Sequence, residues 1–245
     1  MSDKEDKAKK QITLLFSGGV DSTMAACQLA ELFEKVHLVS YSNGYGHYLI
    51  SRTAKRAKEL SRHYPGKFEH SIISIRELFE SLVIDTLDED YAKSGSGFIW
   101  CMGCKLAMHM HTIIYNTEND IHLAADGSSF DTSEMVEQMP LSVAKIKGFY
   151  CEYGITFDNP VYKQKRQDSI KALKTMGFKM GLRIGDRFLG VQPKCKPGEL
   201  YYMPLLLRGT PPNHQEKMIG SYIDEKIDWA RDYLNKNLGG QNSTG

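Results

Sequence analysis

Two groups of residues have the types and spacing for chemistry, and the first is Ser17-Gly18-Gly19-Val20-Asp21-Ser22-Thr23. Adjacent glycines let a chain turn sharply and present successive N–H groups to an anion. A helix starting near Val20 adds the positive end of its dipole. Ser17, Ser22 and Thr23 supply hydroxyl donors for phosphate oxygens. Asp21 would repel a bare phosphate, so it reads as a ligand or orienting group for Mg²⁺ on a pyrophosphate. The competing reading is an ordinary strand-to-helix turn, with Ser17 as N-cap and Asp21 favourably placed against the dipole. The loop is not GxxxxGK(S/T), because no lysine reaches the phosphates, and it is not GxGxxG.

The second group is the cysteines, at positions 27, 101, 104, 151 and 195. An odd count behind a charged start, MSDKEDKAKK, that lacks the apolar stretch of a secretory signal argues against a disulfide framework and for cytoplasmic residence. Cys101-Met-Gly-Cys104, expected just ahead of a helix, reads as a metal or redox pair. Zinc takes four ligands, and there is no second C-x-x-C. His109 and His111, two apart on a helix, face different ways and read as packing or surface residues. Cys195 lies in Gln192-Pro193-Lys194-Cys195-Lys196-Pro197, where both lysines would favour the thiolate. Thiolates at 101, 104 and 195 without a fourth ligand fit a 4Fe–4S cluster with one iron open to sulfur or substrate. A redox disulfide and an inert C-x-x-C are the alternatives. Cys27 reads as core, and Cys151 as buried filler more than as a sulfur carrier.

These residues need a frame. Short apolar runs at 12–16, 36–41, 68–73 and 121–125 predict strands, separated by helical patterns up to about 34 and over 47–63, 75–82 and 104–116. Strands joined through helices pair in parallel by right-handed crossovers, which gives an α/β, doubly wound, mainly parallel sheet. Three strands end in small polar residues, at 17–19, 42–44 and 126–129, and ligands of such sheets bind at those ends. Ser42, Asp126, Gly127 and Ser128 thus join the site. Further on, helices are predicted over 163–176 and from about 212 to 238. The expected division is a loose tail over 1–10, a nucleotide domain over 11–205 and a C-terminal helical extension with a loose end over 206–245.

At residues 17–22 the sequence resembles the PP-loop ATP pyrophosphatases, whose SGGxDS motif it matches at every position. The resemblance implies a Rossmann-like fold of the HUP type. It also implies ATP cleaved between the α and β phosphates through an adenylated substrate. A PP-loop followed by C-x-x-C and a distant third cysteine is similar to the iron–sulfur-dependent sulfurtransferases that thiolate tRNA. Cys101-Met-Gly-Cys104-Lys105 and the 125–131 segment ADGSSFD look similar to the nickel-pincer-cofactor sulfurtransferases. This likeness implies Asp131 as a Mg²⁺ ligand beside Asp21, and Ser128 and Ser129 facing the nucleotide. The chain departs from that branch at Thr132, where the branch has a second acid.

Charge bears on the substrate. With 31 Lys+Arg against 30 Asp+Glu the formal net charge is +1, so a tRNA would have to be held by local patches. Two basic helical stretches, Arg52 to Arg62 and Lys163 to Lys174, and the 181–187 segment GLRIGDR could supply them, or could be solvated surface. Neutrality raises the standing of a small-molecule substrate. No apolar run approaches the 18 residues of a membrane span. Tyr222, Trp229 and Tyr233 on the last helix suit either a cap on the domain or a homodimer contact.

The expected activity is therefore ATP-dependent exchange of a substrate oxygen for sulfur. Ser17, Gly18, Gly19, Val20, Asp21, Ser22 and Thr23 would hold MgATP, with Asp21, Ser22 and Cys195 catalytic and Cys101, Cys104 and Cys195 on the cluster. A small molecule or nucleobase and a sulfur donor are the implied partners. An amidating or ligating enzyme with zinc or no metal, a desulfidase and a nucleotide-binding redox sensor are the alternatives.

Overall fold

The computed structural model describes residues 10–179, 193–209 and 215–238. Its centre is a five-stranded parallel sheet in the order β4-β2-β1-β5-β6. The strands are β1 (Gln11–Leu15), β2 (Lys35–Ser42), β4 (Phe68–Ser74), β5 (Leu123–Asp126) and β6 (Thr156–Asp158). The four predicted strands are present. β6 was not expected, because three residues carry too little pattern to read. A separate two-stranded antiparallel ladder joins β3 (His47–Tyr48) to β7 (Lys194–Cys195).

Helices cover both faces, as the strand sequences require. In β2, Val36 and Leu38 join one apolar cluster while Val39 and Tyr41 join the other. The first cluster packs under α1 (Val20–Leu32), α2 (Arg52–His63) and α7 (Arg166–Thr175). The second packs under α3 (Arg76–Phe79, continued by a wider turn over Glu80–Ile84), α5 (Phe98–Glu118), α6 (Pro140–Cys151) and α10 (Glu216–Leu238). Short helices α4 (Leu87–Ser94), α8 (Lys196–Tyr201) and α9 (Met203–Arg208) complete the description. The arrangement is the doubly wound α/β fold expected. Strand order reverses between β1 and β5, so the loops after these two strands open a crevice at the sheet's switch point.

One element differs from expectation in a way that matters for the site, and the last helix takes one of the two places expected for it. Helix α5 begins at Phe98 because Phe98, Ile99 and Met102 are fully buried and extend its apolar face upstream. Cys101 and Cys104 therefore sit within its first two turns, on one face by their i, i+3 spacing, and not ahead of it. Helix α10 buries Ile219, Ile223, Ile227, Ala230 and Leu234 in the second cluster, and the Tyr222 hydroxyl donates to the Ile99 carbonyl at 2.9 Å. Its apolar face is thus occupied within the chain, as a cap. The predicted loose ends fall outside the described residues, apart from Lys10. Among the described residues no helix is long and apolar enough to cross a membrane.

Candidate functional site

After β1 the chain passes through Ser17 and Gly18, the latter with φ +69°, the left-handed region that favours glycine. Gly19, not Ser17, is the N-cap of α1, and no side chain caps that helix. Ser17 Oγ instead lies 3.0 Å from Ser22 Oγ and accepts the Gly19 N–H at 3.3 Å. The first helical amides are thereby left without a side-chain partner, which is how an anion-binding terminus is built. Thr23 and Val20 do not line the cavity described below. Thr23 is buried, and its hydroxyl has no partner.

Asp21 pairs with the guanidinium of Arg166, and the Arg166 amide donates to Asp131 Oδ2 at 2.7 Å. Burial pushes the Asp21 carboxyl upward, against the pull of Arg166. Two carboxylates and one arginine thus meet beside the loop, a set able to exchange a guanidinium for a metal ion. Arg166 was read only as part of a basic helix. The packing of α7 on α1 brings it here, and no local sequence signal announces that.

The 126–129 loop closes over the same place. Asp126 is buried with Lys105, whose Nζ lies 3.0 Å from Asp126 Oδ2 and donates to Ser128 Oγ at 2.8 Å. Asp126 also accepts from the Ser128 amide at 2.8 Å and from Asn159 Nδ2 at 2.6 Å. Burial alone would raise its pKa, but Lys105 and these donors hold it well below the usual carboxylate range. Asp126 and the Ser128 hydroxyl are therefore internal braces, although both border the cavity. Ser129 is buried too, its amide donating to Gln138 Oε1 at 2.9 Å. Ser42 pairs with Ser74 in the sheet and does not line the cavity.

The three proposed ligand cysteines come together. His47 and Cys195 face each other across the β3–β7 ladder, and His47 Nε2 lies 3.7 Å from Cys104 Sγ. Asn43 Nδ2 approaches the same sulfur at 3.3 Å. A side-chain carbon at Gly198 would lie 3.6 Å from both Cys101 Sγ and Cys195 Sγ. Glycine at this position keeps the space beside the two sulfurs clear. Desolvation pushes all three thiols up, Cys104 to about 12, with added repulsion from Glu137. This corrects the expected thiolate at Cys195. Lys194 is drawn to Glu199 at 2.9 Å and Lys196 lies over the Tyr48 ring, so neither offsets the burial. Among the described residues, no three His, Cys, Asp or Glu side chains are arranged around a single metal ion.

A cavity of about 610 Å³ is lined by Ser17, Asp21 and Ser22 together with Lys105, Gln138, His47 and Cys195. Cys101 and Cys104 do not line it. Lys105, His47 and Gln138 were not chosen as site residues, and only Lys105 carried a signal, its place after C-x-x-C.

Other expectations resolve separately. Cys27 is buried, while Cys151 is exposed at the end of α6, not buried filler. His109 is fully buried with Nδ1 2.9 Å from the Tyr150 hydroxyl, and the His111 ring meets Tyr41 at 5.4 Å. Arg56, counted in the first basic patch, is buried against Glu59 at 2.6 Å and the Lys179 carbonyl at 2.7 Å. It is not available to a phosphate backbone. The 181–187 segment lies outside the described residues.

No protein-family model matches the chain. No curated protein matches it either. Solved structures similar to it include the U34-tRNA thiolase NcsA from Methanococcus maripaludis with its 4Fe–4S cluster, at 16% identity and TM-score 0.49, covering 96% of this chain and 72% of that one. A 4-thiouridine synthetase–RNA complex with bound ATP is similar at 12% identity and TM-score 0.48, covering 91% of this chain and 53% of that one. NMN synthetase from Francisella tularensis is similar at 13% identity and TM-score 0.46, with 96% of each chain covered.

Proposed function

We propose that the protein is a PP-loop sulfurtransferase that uses MgATP to adenylate a substrate carbonyl oxygen and exchanges that oxygen for sulfur beside a cysteine-held 4Fe–4S cluster. The observation that carries this reading is that Ser17, Gly19, Asp21 and Ser22 line the same cavity as Cys195. Its volume of about 610 Å³ suits a nucleotide with a small molecule or one nucleobase. A tRNA would reach it only by presenting a flipped base.

The roles follow from the geometry. The uncapped amides of α1, with Ser17 and Ser22, receive the leaving pyrophosphate. Asp21 and Asp131, which share Arg166 as a partner, would hold Mg²⁺, and the ion would neutralise charge on the phosphates. The substrate oxygen attacks the α-phosphorus and pyrophosphate departs. Sulfide, the sulfur donor by chemical class, then attacks the adenylated carbon, and AMP leaves with the original oxygen. Positioning and charge neutralisation supply most of the catalysis.

The donor set would offer a cluster three thiols from two elements, with glycine at 198 leaving room beside two of the sulfurs. Cys101, Cys104 and Cys195 would hold the cluster, which would supply an iron with an open position for the sulfur donor. Since the thiols are held protonated by burial, loading would release protons.

Anaerobic purification tests the reading. Brown protein absorbing near ~400 nm, with the colour lost in Cys101→Ala and Cys195→Ala, is the expected result. ATP turnover with substrate should yield AMP and pyrophosphate. Colourless protein carrying stoichiometric zinc, or release of ADP, would overturn it.

A further inference from the structure

We propose that the side-chain amide of Gln138 is the hydrogen-bond donor that holds the substrate's carbonyl oxygen, and that it favours the oxygen-bearing substrate over the sulfur-bearing product; this rests on the sulfur-exchange reading above. Gln138 lines the cavity and closes the short turn Val136–Gln138. Its Oε1 accepts from the Ser129 amide at 2.9 Å and from the Thr132 hydroxyl at 2.7 Å. A backbone N–H can only donate, so the atom facing Ser129 must be the oxygen. The carboxamide is thereby fixed in orientation, with Nε2 on its other side. Among the described residues Nε2 has no partner, and it is not one of the side-chain atoms sealed from solvent. Two N–H donors are thus offered to whatever fills the cavity.

The turn that carries Gln138 joins the phosphate loop to the segment bearing Cys195. On one side, Ser129 belongs to the loop whose Gly127 lies against Ser22. On the other, the Tyr202 hydroxyl donates to Glu137 Oε2 at 2.8 Å and accepts from the Val136 amide at 3.0 Å. Tyr202 ends α8, the helix that Cys195 starts. A carbonyl that must meet the α-phosphorus first and sulfur second belongs beside such a turn. The neighbouring Glu137 also lines the cavity, and its carboxylate disfavours an anionic acceptor, so the donor suits a neutral oxygen better than a phosphate. Sulfur accepts hydrogen bonds weakly. A donor that holds C=O therefore holds C=S less well, which favours departure of the product. Gln138 orients the oxygen and exchanges no proton. It is a specificity residue.

The probes are 2-pyridone, a cyclic amide with one carbonyl, and its sulfur analogue 2-thiopyridone, titrated into protein loaded with Mg²⁺ and a non-hydrolysable ATP analogue. Gln138→Glu keeps the oxygen that Ser129 and Thr132 need and replaces the NH₂ with a second acceptor. The ratio of 2-pyridone to 2-thiopyridone affinity should fall about three- to tenfold in this variant, the size of one hydrogen bond. An unchanged ratio would overturn the proposal, and so would failure of 2-pyridone to bind wild type. If Gln138→Glu does not fold, nitrogen-labelled wild-type protein gives the answer by NMR. The Gln138 side-chain amide signals should move with 2-pyridone and much less with 2-thiopyridone. Signals that respond to the ATP analogue and not to 2-pyridone would give the donor to the nucleotide and sink the inference. Each of these failures leaves the sulfur-exchange reading standing. Wild-type protein that does not bind the ATP analogue would overturn both.

Discussion

A side-chain carbon at Gly127 would lie 2.6 Å from the amide nitrogen of Ser22 and 2.7 Å from its Cα. The loop after β5 therefore rests directly on the backbone of the first turn of α1, with no room for a methyl group. The two walls of the crevice are fixed against each other by this contact. Gly127→Ala must push the Ser22 amide out of place, and is expected to weaken ATP binding at least tenfold by calorimetry and to cost about 1–3 kcal/mol of stability. Gly148→Ala is the control. Gly148 is exposed within α6 with nothing within 4 Å of the added carbon, so this change should stabilise by about 0.5–1 kcal/mol.

Asp21 gives a second prediction, because its present partner is a cation that nucleotide chemistry also needs. With Arg166 on Asp21, the carboxylate opposes bare ATP, and binding should tighten about tenfold or more when Mg²⁺ takes the carboxylate. In Asp21→Asn that Mg²⁺ dependence should vanish while metal-free ATP binds as well as or better than in wild type. Titrations with ATP in EDTA and with MgATP measure both. A variant that keeps the full Mg²⁺ response would remove Asp21 from the metal site.

The two chemical loops were legible in the sequence because each is local: a buried apolar run fixes the strand, and small residues after it fix the turn. What escaped was set at a distance. Arg166 looks like any helix-surface arginine until α7 packs on α1. Cys195 is pushed toward the thiol and not the thiolate because burial and Glu137 act on it, while its lysine neighbours in sequence are held elsewhere, by Glu199 and Tyr48. His47 joined the cysteines through a ladder of two residue pairs, too short to leave a period. Helix α6 begins with Pro140 at its first turn, yet its mixed sequence PLSVAKIKGFYC shows little periodicity.

The last helix is tied to the domain by an ion pair that water does not reach. Lys226 Nζ lies 2.7 Å from Asp90 Oδ2, with side-chain exposures of 5% and 3%. Thr86 completes the network, accepting from Lys226 at 2.6 Å and donating to Asp90 at 2.9 Å. Removing one charge leaves the other buried and unpaired, so Asp90→Ala should lose about 3–5 kcal/mol in urea unfolding. The Asp90→Leu, Lys226→Met double variant leaves no orphan charge and should recover most of that loss. If the double variant is as unstable as the single one, packing and not charge holds α10 in place.

Stability should also fall in mild acid, and His109 accounts for a definable share. Burial, aided by Lys105 and opposed by Asp126, pushes its pKa down to about 3 from the usual 6.5. The folded protein thus keeps this ring neutral, whereas the unfolded chain takes up a proton as pH drops through 6.5. The ring's contribution is full above that pH and is lost progressively below it, at up to about 1.4 kcal/mol per pH unit. His37, His47, His70 and His111 are lowered in the same direction, so the wild-type slope exceeds that of one group. Asp126, depressed mainly by Lys105 against its own burial, adds a further loss once pH falls below the ordinary aspartate value of 3.8. Unfolding free energies measured between pH 7 and 4 in wild type and His109→Gln isolate the term. The variant should take up about one proton fewer on unfolding at pH 5, and identical slopes would show that His109 is charged in the folded protein.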